Sequence, residues 1–231
     1  MFGIDDWIAG LSDGGSIAAV VAVAVLLGLR HATDPDHLAA VTTLVASGRK
    51  RATGAAARLG AWWGAGHALT LVVFGIPILL ADRFLPDVLQ RGTETAVAAL
   101  IVFLAVRLIV RWRHGAFASD VTHDGGHRHP VRSPVGAFGI GLVHGMGGSA
   151  GVCVLLLAAI PSPELALVGL VVLAFFTAVS MTVVTTGFGA VLSVRPVAGS
   201  LGAAAPVLGG VSVAFGVWYA AAAWSLAPYP F

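Results

Sequence analysis

The chain has 231 residues, 58% of them hydrophobic and only 10% charged. A soluble domain carries about 25% charged residues, so a mean hydropathy of +0.92 excludes an ordinary water-soluble fold. A formal charge of +2 offers no basic surface for nucleic acid, and one cysteine, Cys153, excludes an intrachain disulfide. The expectation is an all-α integral membrane protein.

Residues 1–15 are acidic, with Asp5, Asp6 and Asp13, and lack the basic start of a secretory signal. A membrane helix needs about 20 mostly apolar residues. Six segments meet that need, at about 15–46, 58–81, 94–112, 135–160, 164–192 and 200–226. The first is too long for one straight crossing, so it tilts, breaks or leaves the bilayer. Arg49, Lys50, Arg51 and Arg58 follow the first segment. Arg111, Arg113, Arg128 and Arg132 follow the third, and Arg195 follows the fifth. The alternate loops hold only Arg83 and Arg91. The positive-inside rule therefore puts both termini outside the cytoplasm and the chain in the plasma membrane, the inner one where there are two.

A repeat runs through the chain. "GLRH" at 28–31 returns as "GLVH" at 141–144, an offset of 113. At that offset Trp62 and Trp63 meet Phe175 and Phe176, and His67 meets Ser180. The chain reads as one membrane domain, 1–231, of two three-helix repeats. They span about 15–112 and 135–226, joined by a loop at about 113–134. Three is odd, so the repeats are inverted across the membrane, the plan of many secondary transporters.

The polar stretch "RHATDPDH" (30–37) starts near the middle of the first segment. An ionisable residue at that depth costs about 3 kcal/mol or more, so such residues face a partner or a cavity. Pro35 lacks an N–H and disfavours the helical region at Asp34. Asp34 as N-cap, Pro35 at the first helical position and Asp36 in the first turn predict a helix start. The first segment then breaks at Asp34–Pro35, which turns Asp36 and His37 toward His31. Imidazole plus carboxylate is the ligand mix of a first-row divalent metal. For Asp34, capping and ligation stay equally open; Arg30 reads as its ion-pair partner.

Two further histidines lie within apolar segments. His67 sits between small residues that let helices approach, and His144 is the repeat mate of His31, with Gly145, Gly147 and Gly148 leaving room for irregular backbone. Both join the candidate metal set. Cys153 reads as a small core residue. Ser180, Thr182, Thr185 and Thr186 read as bonding back to their own helix. His123, His127 and His129 in the central loop form a short histidine tract, an accessory metal site.

"RHATDPDHL" resembles the signature of the NicO superfamily of nickel and cobalt transporters, Arg-His-Ala-x-Asp-Ala-Asp-His-Ile. His31, Asp36 and His37 stand on its His-x4-Asp-His, with Asp34 on the intervening acid. "GAGHALTLVV" is similar to the family's Leu-Gly-His-Ser-Thr/Ser-Val-Val, with His67 on the histidine. Pro35 stands where the family usually has Ala, and six segments replace the eight of the longer permeases. The second half looks more like the shorter, urease-cluster-type members. The resemblance implies transport of Ni²⁺ or Co²⁺ as substrate, with no permanent cofactor and no enzymatic step.

No P-loop is present, so an ion gradient, the membrane potential or a partner's ATPase drives such transport. A proton-coupled carrier of another solute, using the same cluster as a proton relay, is the alternative reading. An intramembrane metalloenzyme lacks His-Glu-x-x-His, and a haem bundle lacks an attachment cysteine pair. Gly- and Ala-rich faces leave a homo-oligomer or an accessory metal-delivery protein open as partners.

Overall fold

The computed structural model describes residues 17–46, 53–81, 86–115, 133–147 and 149–229, and these residues form helices with no strand among them. In chain order the helices are α1 (Ile17–His31), α2 (Pro35–Ala46), α3 (Thr53–Ala81), α4 (Asp87–Arg113), α5 (Pro134–His144), α6 (Ser149–Ala158), α7 (Pro163–Val191) and α8 (Arg195–Ala223). Four of them, α3, α4, α7 and α8, are long and apolar enough to cross a membrane. The bent pair α1–α2 brings that number to five.

The first apolar segment is broken where its sequence predicts. α1 ends at His31, α2 begins at Pro35, and the two are bent by 47°. The break is an ordered turn. Thr33 N–H donates to the Arg30 carbonyl at 2.8 Å, as does the Thr33 hydroxyl at 2.6 Å, and Asp34 N–H donates to the His31 carbonyl at 3.1 Å. Those carbonyls belong to the last turn of α1 and have no partner within the helix.

The segment 135–160 departs from the expected single helix. It is two pieces, α5 and α6, parted after His144 by a turn through Gly145, Met146 and Gly147. Neither piece alone has the length of a crossing. A glycine-rich stretch permits a helix without enforcing one, so hydropathy alone reads it as continuous. Elsewhere the helix starts follow local chemistry. Ser133 caps α5 by accepting from Gly136 N–H at 2.9 Å, with Pro134 in the first turn. Ser162 and Pro163 repeat the device at the start of α7.

α3 and α7 form the central pair, with α5 lying on α3, α1 on α7, and α4 against α8. Glycines set these crossings. A Cβ on Gly64 would come within 2.8 Å of the Ala178 carbonyl, and one on Gly66 would collide with that of Phe138. Gly28 is pressed on α7, where a Cβ would lie 2.8 Å from the Leu173 carbonyl and 2.9 Å from Phe176 Cβ. Gly141, 113 residues later, is pressed on α3 at the Trp63 carbonyl and His67 N–H. Two hydroxyl bonds run alongside: Ser180 to the Leu29 carbonyl at 2.6 Å, and Thr70 to the Leu142 carbonyl at 3.0 Å. Ser180 thus bonds across helices, while Thr182, Thr185 and Thr186 bond back to their own helix as expected. Val73, Phe175, Val183, Val211 and Val217 point outward, an apolar exterior suited to a bilayer.

Candidate metal centre

Four helices deliver the histidines and acids to one point. The last residue of α1 supplies His31, the first turn of α2 supplies Asp36 and His37, the middle of α3 supplies His67, and the last residue of α5 supplies His144. Broken helix ends suit this work. Their free backbone groups favour an acid at an N-terminus, as Asp36 is, and a cation at a C-terminus.

All of these side chains are buried to within 1% of full enclosure. His31 Nε2 lies 2.9 Å from His67 Nε2. Asp36 Oδ1 accepts from the His37 N–H at 2.9 Å and lies 3.0 Å from His37 Nδ1, while Asp36 Oδ2 lies 3.3 Å from His144 Nε2. Two groups have ligand atoms within 4.8 Å of one another: His31, His37 and His67, and Asp36, His37 and His144. His37 belongs to both, and its ring centroid is 4.4–5.0 Å from those of the three other histidines.

Asp34 is as buried as the others but belongs to neither group. Its carboxylate lies 3.2 Å from His31 Nδ1 and 3.4 Å from the Arg30 guanidinium. It thereby holds the His31 ring with Nε2 turned inward, a common role for a carboxylate behind a metal-binding imidazole. Arg30 is the ion-pair partner expected of it. His123, His127 and His129 lie outside the described residues.

Several buried polar atoms at this point have no hydrogen-bond partner: His37 Nε2, His67 Nδ1 and His144 Nδ1. Each such atom costs about 1–3 kcal/mol in a packed protein, and buried polar atoms are normally paired. Three of them around shared rings are a donor set suited to a cation.

Two neighbours escape a reading of the sequence. Trp63 is 1% exposed and walls the cluster, its ring 5.8 Å from His37 and 5.7 Å from His144; the sequence marks it only as the repeat mate of Phe176. Cys153 is buried in the apolar core, as expected, yet its Sγ lies 4.0 Å from His31 Nδ1. A lone thiol in an apolar run gives no signal of that proximity.

The chain is 28% identical to the urease accessory protein UreH of Bacillus sp. (strain TB-90) over 220 residues, 88% of this chain and 91% of that protein. It is 32% identical to the chloroplast protein FOR GROWTH AND FERTILITY 1 of Arabidopsis thaliana over 150 residues, 59% of this chain and 40% of that protein. No solved structure matches. The family model described as NicO, high-affinity nickel-transport protein, matches residues 17–134, a stretch that holds His31, Asp36, His37 and His67 but stops short of His144. With half the chain matched, the protein belongs to the NicO family of nickel-transport proteins, and is a multi-pass membrane transporter, not an enzyme.

Proposed function

We propose that the chain carries Ni²⁺ or Co²⁺ across the plasma membrane, and that the ion pauses midway at His31, Asp36, His37, His67 and His144. The observation that carries this reading is the convergence of five fully buried ligand-type side chains from four helices, several with orphaned nitrogens. Metal–imidazole bonds of about 2.0–2.1 Å at right angles put neighbouring nitrogens about 3 Å apart. The 2.9 Å between His31 Nε2 and His67 Nε2 suits one coordination shell. Imidazoles favour nickel and cobalt over Mg²⁺ and Ca²⁺, which take oxygen, and Asp36 offsets the ion's charge. Asp34 is assigned to orienting His31.

The finer architecture belongs to the same proposal. Exchanging the two halves maps α1 on α7 onto α5 on α3, and maps the Gly28–Phe176 approach onto Gly141–Trp63. That correspondence supports inverted repeats within one membrane domain, with α5 and α6 as the second broken member. It also agrees with a site where discontinuous helices meet. The distribution of Arg and Lys supports extracytoplasmic termini.

The proton-relay alternative draws on the direct His31–His67 contact. Calorimetric titration of the detergent-solubilised protein with Ni²⁺, Co²⁺ and Zn²⁺ separates the two readings. Wild type is expected to bind, and His37→Ala, which removes the residue common to both groups, to lose binding and metal accumulation with normal expression. Undiminished nickel or cobalt flux in His37→Ala removes the site assignment. Flux without any metal binding by wild type favours the relay.

A further inference from the structure

One buried carboxylate stands apart from the cluster. Glu94, in the second turn of α4, is 3% exposed, and among the described residues it is the one buried acid besides Asp34 and Asp36. Its Oε1 accepts from the Tyr229 hydroxyl at 2.8 Å and from Gln90 Nε2 at 3.1 Å. Both donors are neutral. Arg91, the nearest basic residue in sequence, turns away, its guanidinium 5.8 Å over the Trp224 ring. Among the described residues no cation pairs with this carboxylate, and an unpaired buried charge is costly, the more so beside a bilayer.

The backbone at Glu94 also lies against the turn that follows His144. Gly147, three residues past His144, rests on it so closely that a Cβ there would lie 3.1 Å from Glu94 N and 3.2 Å from its Cα. Tyr229 links the two regions. Tyr219, its ring 6.0 Å from that of Tyr229, belongs to an apolar cluster against which Ala39, two residues beyond His37, also packs. The segment carrying Tyr229 is also fastened to α4 by Trp224 Nε1, which donates to Thr95 Oγ1 at 3.1 Å.

We propose that Glu94 is a second divalent-cation site, in series with the His/Asp cluster, on the side of the membrane where α4 begins and α8 ends, with Tyr229 closing over it. The proposal rests on the transport reading above. Its donors are the Glu94 carboxylate, the Gln90 amide and the Tyr229 hydroxyl. An oxygen-rich set holds an ion that keeps part of its water; the imidazoles beyond Gly147 then replace that water. Glu94 is thus a waiting place, weaker and less selective than the cluster.

The test uses the full chain in detergent and in proteoliposomes, with Ni²⁺ alone and Mn²⁺ alone as probes. Wild type is expected to bind two Ni²⁺, one tightly and one weakly, with Mn²⁺ competing for the weak one. Glu94→Gln keeps a group of the same shape without the charge. It is expected to lose the weak ion, leave the tight one within about 2-fold, and raise the half-saturating Ni²⁺ for transport about 10-fold. His37→Ala is expected to do the reverse, losing the tight binding assigned to the cluster, and transport with it, while keeping the weak ion. Should Glu94→Gln not fold, Tyr229→Phe at the edge of the site is expected to weaken the second ion several-fold. A single bound ion in wild type with normal transport by Glu94→Gln overturns the second site and leaves the transport reading standing. So does an unaltered weak ion in either variant. No bound ion in wild type overturns both.

Discussion

The chain interrupts a helix twice beside the cluster, after His31 and after His144, with opposite materials. The first break is made of Thr33, Asp34 and Pro35, is braced by three hydrogen bonds to the end of α1, and delivers two acids and a histidine. The second is made of Gly145, Met146 and Gly147. Its value lies in having almost no side chain: Gly145 sits where a Cβ would meet the His67 carbonyl at 2.8 Å. One interruption supplies chemistry and the other supplies proximity. A site that needs ligands from four helices needs both, because imidazoles reach a common ion only when the helices bearing them nearly touch.

The long helices repeat the contrast. α3 offers Gly64 and Gly66 to its neighbours, while the equivalent positions of α7, at the offset of 113, are Thr177 and Val179. The α3–α5 crossing is accordingly the closer: a Cβ on Gly141 would collide with the Trp63 carbonyl, while one on Gly28 would stop 2.8 Å from the Leu173 carbonyl. The largest effect in this comparison is therefore expected for Gly141→Ala. Its methyl meets backbone that cannot swing aside, at a cost of about 3 kcal/mol or more. Gly28→Ala is expected to cost about 1–2 kcal/mol, within the usual range for overpacking. Thermal unfolding of both variants in one detergent measures the gap. Equal losses would mean that the two crossings are equally tight.

Next in size is the pair of repeat mates that end the two half-helices. His31→Ala removes a member of one ligand group and His144→Ala a member of the other. Each is expected to weaken Ni²⁺ binding about 100-fold, at the upper end of what altering a metal-ligand partner costs. Calorimetry on the two variants checks this. Full affinity in His144→Ala would confine the ion to the first half of the chain.

The smallest effect concerns the hydroxyl that ties α7 to the first break. Ser180→Ala removes its bond to the Leu29 carbonyl and is expected to cost about 0.6 kcal/mol, the average for such bonds between membrane helices. Thr185→Ala removes only a bond to its own helix and serves as the control. A Tm drop no larger than that of the control would deny the cross-helix bond any weight.

How far the sequence carries depends on how local each cause is. The break at Asp34–Pro35 is legible because proline and an adjacent acid act within four residues. The break after His144 is not, because glycine tolerates both outcomes and neighbouring helices decide between them. That His31, Asp36 and His37 come together follows from the first break. That His67 and His144 join them depends on Gly66 and Gly141 lying against partner backbones, which hydropathy does not reveal. Asp34 shows the same limit: as cap or ligand it looks equal in sequence, and only the packed structure turns it to His31 as well as to its expected partner Arg30. Glu94 stands at the start of a predicted segment, and nothing in the sequence announces that its carboxylate is buried against Tyr229 and Gln90.

Trp63 has a further consequence. Its indole lies edge-on to His144 and tilted to His37, shielded from water. An ion with a partly filled d shell held between those two rings lies within quenching range of the excited indole. If the ion stops at the proposed site, Trp63 is its optical reporter: Ni²⁺ or Co²⁺ there is expected to dim the indole and filled-shell Zn²⁺ to leave it bright, so that arrival could be timed without any attached dye.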